Sequence, residues 1–293
     1  MPPLVGNVES IAENITEESQ PSTTPSPSNP ASRSQPYPDT TAQVRQLLDT
    51  NACVRCDLRG ADLEKADLDR ANLEGANLEG ANLTKAELNR AYLVGANLEK
   101  AILTKADLDE ANLIHASLDA ANLTAAKFVG ANLTGASLQS ANLAQASLAA
   151  PTLMSNANLK NANLSGALLM GSDLSGANLE NANLEGANLR DFFFTYTPSA
   201  FSSRAGQFSG GEILVGLLVG TDQNKTFRFK TNLNGANLSS ANLSQSNLKD
   251  ATIVGANFSN ANLSDADLED VDLTSGNFCG ATLPDGSRSE QGC

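Results

Sequence analysis

The chain of 293 residues contains no tryptophan, and aromatic residues of every kind make up only 4% of it. A core filled by large rings is excluded, so smaller side chains must pack the protein. There is one histidine, His115, so neither a Ser/His/Asp triad nor a two-histidine metal site can be assembled. With no nucleophile, base and oxyanion donors to bring together, no enzyme activity is expected, and no cofactor or metal. Basic residues are scarce: 19 Lys and Arg face 33 Asp and Glu, a formal net charge of -14. That balance disfavours direct nucleic-acid binding, which draws on surplus Lys and Arg. No apolar run approaches the roughly 18 to 20 residues that span a bilayer. The longest, Ile213 to Val219, is interrupted by Gly216, and no membrane span is expected. The N-terminal MPPLVGNVESIAENITEES has no basic start followed by an apolar stretch, so no secretory signal is expected.

What is abundant is a repeat. Leu58, Leu63, Leu68, Leu73, Leu78 and Leu83 recur every fifth residue, each preceded two positions earlier by Cys56, Ala61, Ala66, Ala71, Ala76 and Ala81. The centres run unbroken from Leu58 to Leu153 with Phe128 as the one non-leucine, step by six residues after Leu153, resume from Leu159 to Leu189, and return from Leu233 to Leu283. A period of five suits neither a helix at about 3.6 nor a strand at 2, so neither could hold these leucines on one buried face. A winding coil could, with each unit forming one side and turning a corner. The Ala and Leu then point inward, and each buried Leu contributes roughly 1.5 to 3 kcal/mol before entropy is subtracted.

The units Ala61-Asp62-Leu63-Glu64-Lys65 and Ala71-Asn72-Leu73-Glu74-Gly75 resemble the pentapeptide-repeat protein family. The resemblance extends over about two thirds of the chain, and the pair Cys53 and Cys56 after a short helical segment is most similar to cyanobacterial members. It implies an all-β fold, a right-handed quadrilateral β-helix with four pentapeptides to a coil. About nine coils at the ~4.8 Å spacing of neighbouring strands would make a rod roughly 45 Å long. Leu63, Leu83, Leu103, Leu123, Phe128 and Leu143 are the expected core ladder.

Outside the repeat, residues 1–40 hold eight of the eleven prolines and are expected to be a disordered Pro/Ser-rich segment. Val44, Leu47 and Leu48 at helical spacing, with Asp39, Thr40 or Thr41 available as caps, predict a short helix over 41–52 that covers the end of the solenoid. The solenoid is expected over 53–194 and again over 231–283, with 284–293 as a C-terminal tail. Between Leu189 and Leu233 lie seven of the ten phenylalanines. Phe192 and Phe194 still fit inward positions, so an insertion is expected over 195–230. Within it, Glu212 to Gly220 and Thr226 to Lys230 read as two strands around a polar turn, a β-hairpin. Either it packs its own Phe and Leu against the solenoid, or Phe201, Phe208, Ile213, Leu217, Phe227 and Phe229 present a partner-binding protrusion.

Cys53 and Cys56 fall at one end of the coil and Cys279 and Cys293 at the other, too far apart for one four-cysteine zinc site. Each pair is either a disulfide closing a rod end or two free thiols. The localisation is cytoplasmic as the sequence stands, and a periplasm or thylakoid lumen if the cysteines are bonded. His115 occupies an outward position and is expected to be solvated. These features point to a non-catalytic structural or protein-interaction scaffold whose partner and oligomeric state are unknown. The resemblance also implies an alternative: some family members are acidic rods that imitate duplex DNA and bind DNA gyrase. Against it, Lys65, Lys85, Lys105, Arg70 and Arg90 interrupt the acidic columns.

Overall fold

The structure, a computed structural model, describes residues 40–196 and 225–293. Through these residues the backbone winds into a four-sided coil. Every fifth residue makes a parallel bridge to the residue 20 positions on: Asn72 to Tyr92 on the first side, Asn77 to Asn97 on the second, Asn82 to Ile102 on the third, Glu87 to Asp107 on the fourth. Each side contributes a single bridging residue between corners, so the sheets are stacks of one-residue bridges.

The unit Ala81 to Lys85 shows why five residues suffice. The Ala81 N–H donates to the Leu78 carbonyl at 2.9 Å and closes the corner. Asn82 N–H reaches back to Ala61 of the preceding coil at 2.9 Å, while Leu83 and Lys85 N–H groups are bonded to Ile102 and Thr104 of the following one at 2.7 and 3.0 Å. Only the Thr84 N–H is left over, and the Asn82 Oδ1 accepts it at 3.2 Å. Asn or Asp is suited to that position because its side chain is short enough to bond its own backbone two residues on. Every backbone donor of the unit is thereby paired. The Asn82 amide also donates to Asp62 Oδ1 at 3.0 Å, tying one coil to the next. The fifth residue sits in the left-handed region, Lys85 at φ 57° and Gly80 at φ 64°. A non-glycine residue adopts it at a cost of roughly 1 to 2 kcal/mol.

Leu63, Leu83, Leu103, Leu123 and Leu143 form one internal row beneath the third side and Phe128 lies beneath the fourth, all at most 2% exposed. Phe258 and Phe278, one coil apart beneath the second side, stack with ring centroids 4.7 Å apart.

The register slip differs from the reading of the repeat. Leu153 is not a core centre: it bridges Asn132 and Asp173 at an outward position and is 40% exposed, whereas Met154 is fully buried. The six-residue step therefore falls between Leu148 and Met154. The extra residue is Pro151, joined to Ala150 by a cis peptide bond. Proline has no N–H, so it cannot sit in a bridging position and is accommodated as the added corner residue.

Helix α1 runs Thr41–Thr50 and ends at Asn51 in the left-handed conformation. It buries Leu47 and packs Val44 on the core. Leu48 is 53% exposed, so it is not part of the face that covers the coil. Cys53 and Cys56 are bonded to each other, as are Cys279 and Cys293. At the other end, Leu268, Leu273 and Leu283 are only partly buried, and Leu273–Ser275 form a 3₁₀ turn. Residues 284–293, expected only as a tail, fold back over this end. Phe278 and Gly280 N–H groups, which have no further coil to bond, donate to the Gln291 and Ser289 carbonyls at 3.1 and 2.8 Å. The return strand thus covers an edge that would otherwise be open to pairing. Among the described residues, no helix is long and apolar enough to cross a membrane.

Candidate interaction surface

The coil is interrupted once by a large insertion. Bridge partners are 59 residues apart from Asp173↔Asn232 to Asn188↔Asn247, in place of 20, so 39 additional residues leave and rejoin the stack between them. Strand β1, Phe192–Tyr196, pairs antiparallel with β2, Lys225–Phe229, with Phe193 opposite Arg228. The boundary expected at 194/195 therefore moves to residue 191. Phe192 does not continue the repeat, because its strand pairs with β2 and has left the parallel ladder. Among the described residues β2 pairs with β1, and the 212–220 stretch expected as the first strand of the hairpin lies outside the described residues. Phe201, Phe208, Ile213 and Leu217 lie outside the described residues, while Phe227 and Phe229 stand on β2.

Three successive coils are altered where the fourth side turns into the first. Pro151 is added in one. In the next, the corner is Gly171, at φ +68°, and a Cβ there would lie 2.9 Å from each of the Cβ atoms of Ala150, Phe192 and Phe229. From the third, the β1–β2 pair emerges. Ala149, Ala150 and Met170, in corner positions that are largely exposed elsewhere, are buried. Thr231 takes the inward position of the usual alanine as the chain rejoins. Its hydroxyl accepts from Gly171 N–H at 2.8 Å and faces the Arg190 and Leu169 carbonyls at 3.0 and 3.1 Å. Arg228 on β2 then spans two coils, paired with the buried Asp191 and with Asp250, and its guanidinium lies 5.3 Å from the centre of the Phe193 ring. An arginine fork between two carboxylates fixes orientation as well as position.

Gly171→Val is expected to unseat the base of β1 and β2. Overpacking and a branched residue at positive φ together cost about 2 to 4 kcal/mol. Hydrogen exchange of the 192–196 and 225–229 amides should accelerate strongly, and unchanged protection would count against the seat.

Some charges on the sides are paired along the stack. Arg90 meets Glu110 at 2.7 Å, Lys127 meets Asp107 at 3.2 Å, and Lys160 meets Glu180 at 2.9 Å, each one coil apart. Asp109 is the exception in chemistry. Burial, and next the neighbouring Asp107 carboxylate, push its pKa to about 7, opposed by the Val129 N–H that it accepts at 2.7 Å and by Lys127. Asp67, Asp69 and Glu87 bring carboxylate oxygens within 4.8 Å of one another on the same side. His115 is exposed and lies against Gly135.

Eight copies of the pentapeptide repeats family model match this chain, within residues 53–149, 153–191 and 231–285. The chain belongs to the pentapeptide-repeat family. The family accounts for the solenoid and for none of α1 or β1–β2. Among solved structures, HetL, a pentapeptide repeat protein involved in heterocyst differentiation regulation in the cyanobacterium Nostoc, is 31% identical, with 81% of this chain and 89% of that one covered and a TM-score of 0.41. QnrB1, a plasmid-mediated fluoroquinolone resistance protein, is 16% identical over 78% of this chain and 90% of that one, with a TM-score of 0.39. A pentapeptide repeat protein of the Arabidopsis thaliana thylakoid lumen is 17% identical over 51% and 70%, with a TM-score of 0.19. No match was found among curated proteins.

Proposed function

We propose that this protein is a non-catalytic scaffold for protein–protein interaction, a right-handed quadrilateral β-helix that carries the 192–229 insertion as its recognition element. The observation that carries this reading is the seat of β1 and β2: the Gly171 corner, the Thr231 hydroxyl and the Arg228 pairs hold the base of the insertion at one corner. An insertion that merely tolerated the coil would not need a charged clamp across two turns of it. Long insertions on regular scaffolds are commonly functional. The bonding of all four cysteines favours an oxidising compartment such as a periplasm or thylakoid lumen.

The test replaces residues 192–229 by a short Gly/Ser linker and compares capture of partners from the source organism's lysate by the two chains. The expected result is a defined partner retained by the intact chain and lost by the deleted one, with the β-type far-UV spectrum preserved in both. The same partner on both chains would overturn the insertion's role. Capture of gyrase would favour the DNA-mimic alternative, against which the paired Arg90, Lys127 and Lys160 stand.

A further inference from the structure

We propose that the Cys279–Cys293 disulfide is a thiol–disulfide exchange site for a dithiol reductant, and that opening it releases residues 284–293 from the end of the coil. The two disulfides of the chain differ in what they join. Cys53 and Cys56 are three residues apart, and the coil holds both: Cys53 N–H donates to the Asn72 carbonyl at 2.8 Å, and the Cys56 carbonyl accepts from Asn77 N–H at 2.8 Å. Opening that bond would leave its two sulfurs where they are. Cys279 and Cys293 are 14 residues apart. Cys279 belongs to the coil, its N–H bonded to Asn277 Oδ1 at 3.0 Å and its carbonyl accepting from Asn260 N–H at 2.9 Å. Cys293 belongs to the returning strap, where its N–H donates to the Glu290 carbonyl at 3.2 Å. They differ in access as well. Cys53 is fully buried and Cys56 half-buried, whereas Cys293 is exposed and Cys279 half-buried. A thiolate must reach a sulfur to displace it, so the exposed Cys293 is the point of attack.

Little besides the disulfide anchors the strap. Pro284 is half-buried and Ser289 buried, and the other side chains of 284–293 are exposed. The apolar contact that seats α1 at the opposite end, through Leu47 and Val44, has no counterpart in it. What remains is polar pairing with the last coil. To the Phe278 and Gly280 bonds described above are added Ser289 N–H to the Ala281 carbonyl at 2.8 Å, Leu283 N–H to the Ser287 carbonyl at 2.7 Å, and the Gln291 amide on the Leu273 and Gly276 carbonyls. Water can replace such bonds, so a strand without a buried face gains little from them against the entropy of ordering its residues. Closing the loop at Cys279 and Cys293 lowers the entropy that remains to be lost. With the bond opened, the strap leaves and the second-side edge is bared: the Phe278 and Gly280 N–H groups, the Ala281 carbonyl, and the Phe278 ring that stacks on Phe258. The end of the rod is thus closed while oxidised and open when reduced. One dithiol balances each opening. Its thiolate attacks Cys293 Sγ, and Cys279 departs as a thiolate that takes up a proton. The second thiol of the reductant then displaces Cys293, which is protonated in turn. The protein gains two electrons and two protons, and the dithiol gives them up to become a disulfide.

The test treats the full chain with increasing dithiothreitol under native conditions, reads the thiols by alkylation and peptide mass, and reads the amides by hydrogen exchange. The expected result is alkylation of Cys279 and Cys293 at a dithiothreitol concentration about tenfold or more below that which alkylates Cys53 and Cys56. Over the same step, exchange of the Phe278, Gly280, Leu283 and Ser289 amides should accelerate by about tenfold or more, while amides within 58–263 keep their protection. Cys293→Ser should show the fast exchange at those four amides without reductant and respond no further when reductant is added. Opening of Cys53–Cys56 first, or at the same concentration, overturns the proposal, as does a Cys279–Cys293 bond that resists until the coil itself unfolds. Free thiols at 279 and 293 with unchanged exchange at the four amides would show that the strap stays without its bond, and acceleration spreading through 58–263 would make the bond a support of the whole coil. Either outcome overturns the release and the proposal with it.

Discussion

Met154→Lys is expected to destabilise the coil by more than about 4 kcal/mol, while Leu153→Lys, one residue away and chemically the more drastic on paper, should change stability by no more than about 0.5 kcal/mol. The difference lies in which way each side chain points. Met154 is fully buried among the leucines of adjacent coils, and a lysine there must either bury an unpaired ammonium or open the stack. Leu153 points outward, where a lysine meets water. Because each coil bonds the next through its Leu N–H, as in Leu133 N–H to the Leu153 carbonyl and Met154 N–H to Asp173, a breach at Met154 should propagate to its neighbours. Denaturant unfolding followed by far-UV circular dichroism reads both variants. The reverse order of effects would restore Leu153 to the core and move the slip to the next repeat.

That slip marks the border of what the residues disclose on their own. Leucine at every fifth position is legible because no helix or strand can bury such a period, so the four-sided winding follows from the pattern and from the family it resembles. Thr152-Leu153-Met154 defeats the pattern because two apolar residues stand side by side and only the corner geometry around Pro151 decides which one turns inward. The work of Asn82 and its equivalents, accepting the one N–H that the ladder leaves over, has no signature in hydrophobic periodicity, although the Asx-turn habit of the residue type could have suggested it. Gly171 resembles any other corner glycine in sequence. Its special role appears only once Ala150, Phe192 and Phe229 converge on it from three segments. The clamp was beyond reach for the same reason: Asp191, Arg228 and Asp250 are separated by 37 and 22 positions and meet only because the insertion closes on itself. Phe192 misled because it continues the five-residue spacing from Leu189 by the offset of an inward alanine, whereas its backbone had already turned to pair with Phe229.

Asp109 makes the stability of the coil depend on pH in the direction opposite to most carboxylates. Its pKa is raised from 3.8 to about 7 in the folded chain, so between about pH 4 and pH 7 the native state holds a proton that the unfolded state has released. Stability from this group is therefore fully present below about pH 4 and is lost as pH rises through 7, where a buried charge must form beside Asp107. Ion-paired Asp57 and hydrogen-bonded Asp285 are shifted the other way, and their contributions are lost only as pH falls below 3.8, outside that window. Asp109→Asn should abolish the slope between pH 4 and 7, because the amide stays neutral and its Oδ1 can still accept the Val129 N–H. At pH 8 the variant should be the more stable protein, by an amount on the order of 2 kcal/mol after screening by Lys127 and solvent. At pH 4 the two should coincide. Asp109→Ala separates the two parts of the argument: it removes the charge but also orphans the Val129 N–H, so it should gain less at pH 8 and lose about 1 kcal/mol or more at pH 4. Equal slopes for parent and Asp109→Asn in denaturant titrations at pH 4, 6 and 8 would show that Asp109 titrates in the ordinary carboxylate range and that water reaches it freely.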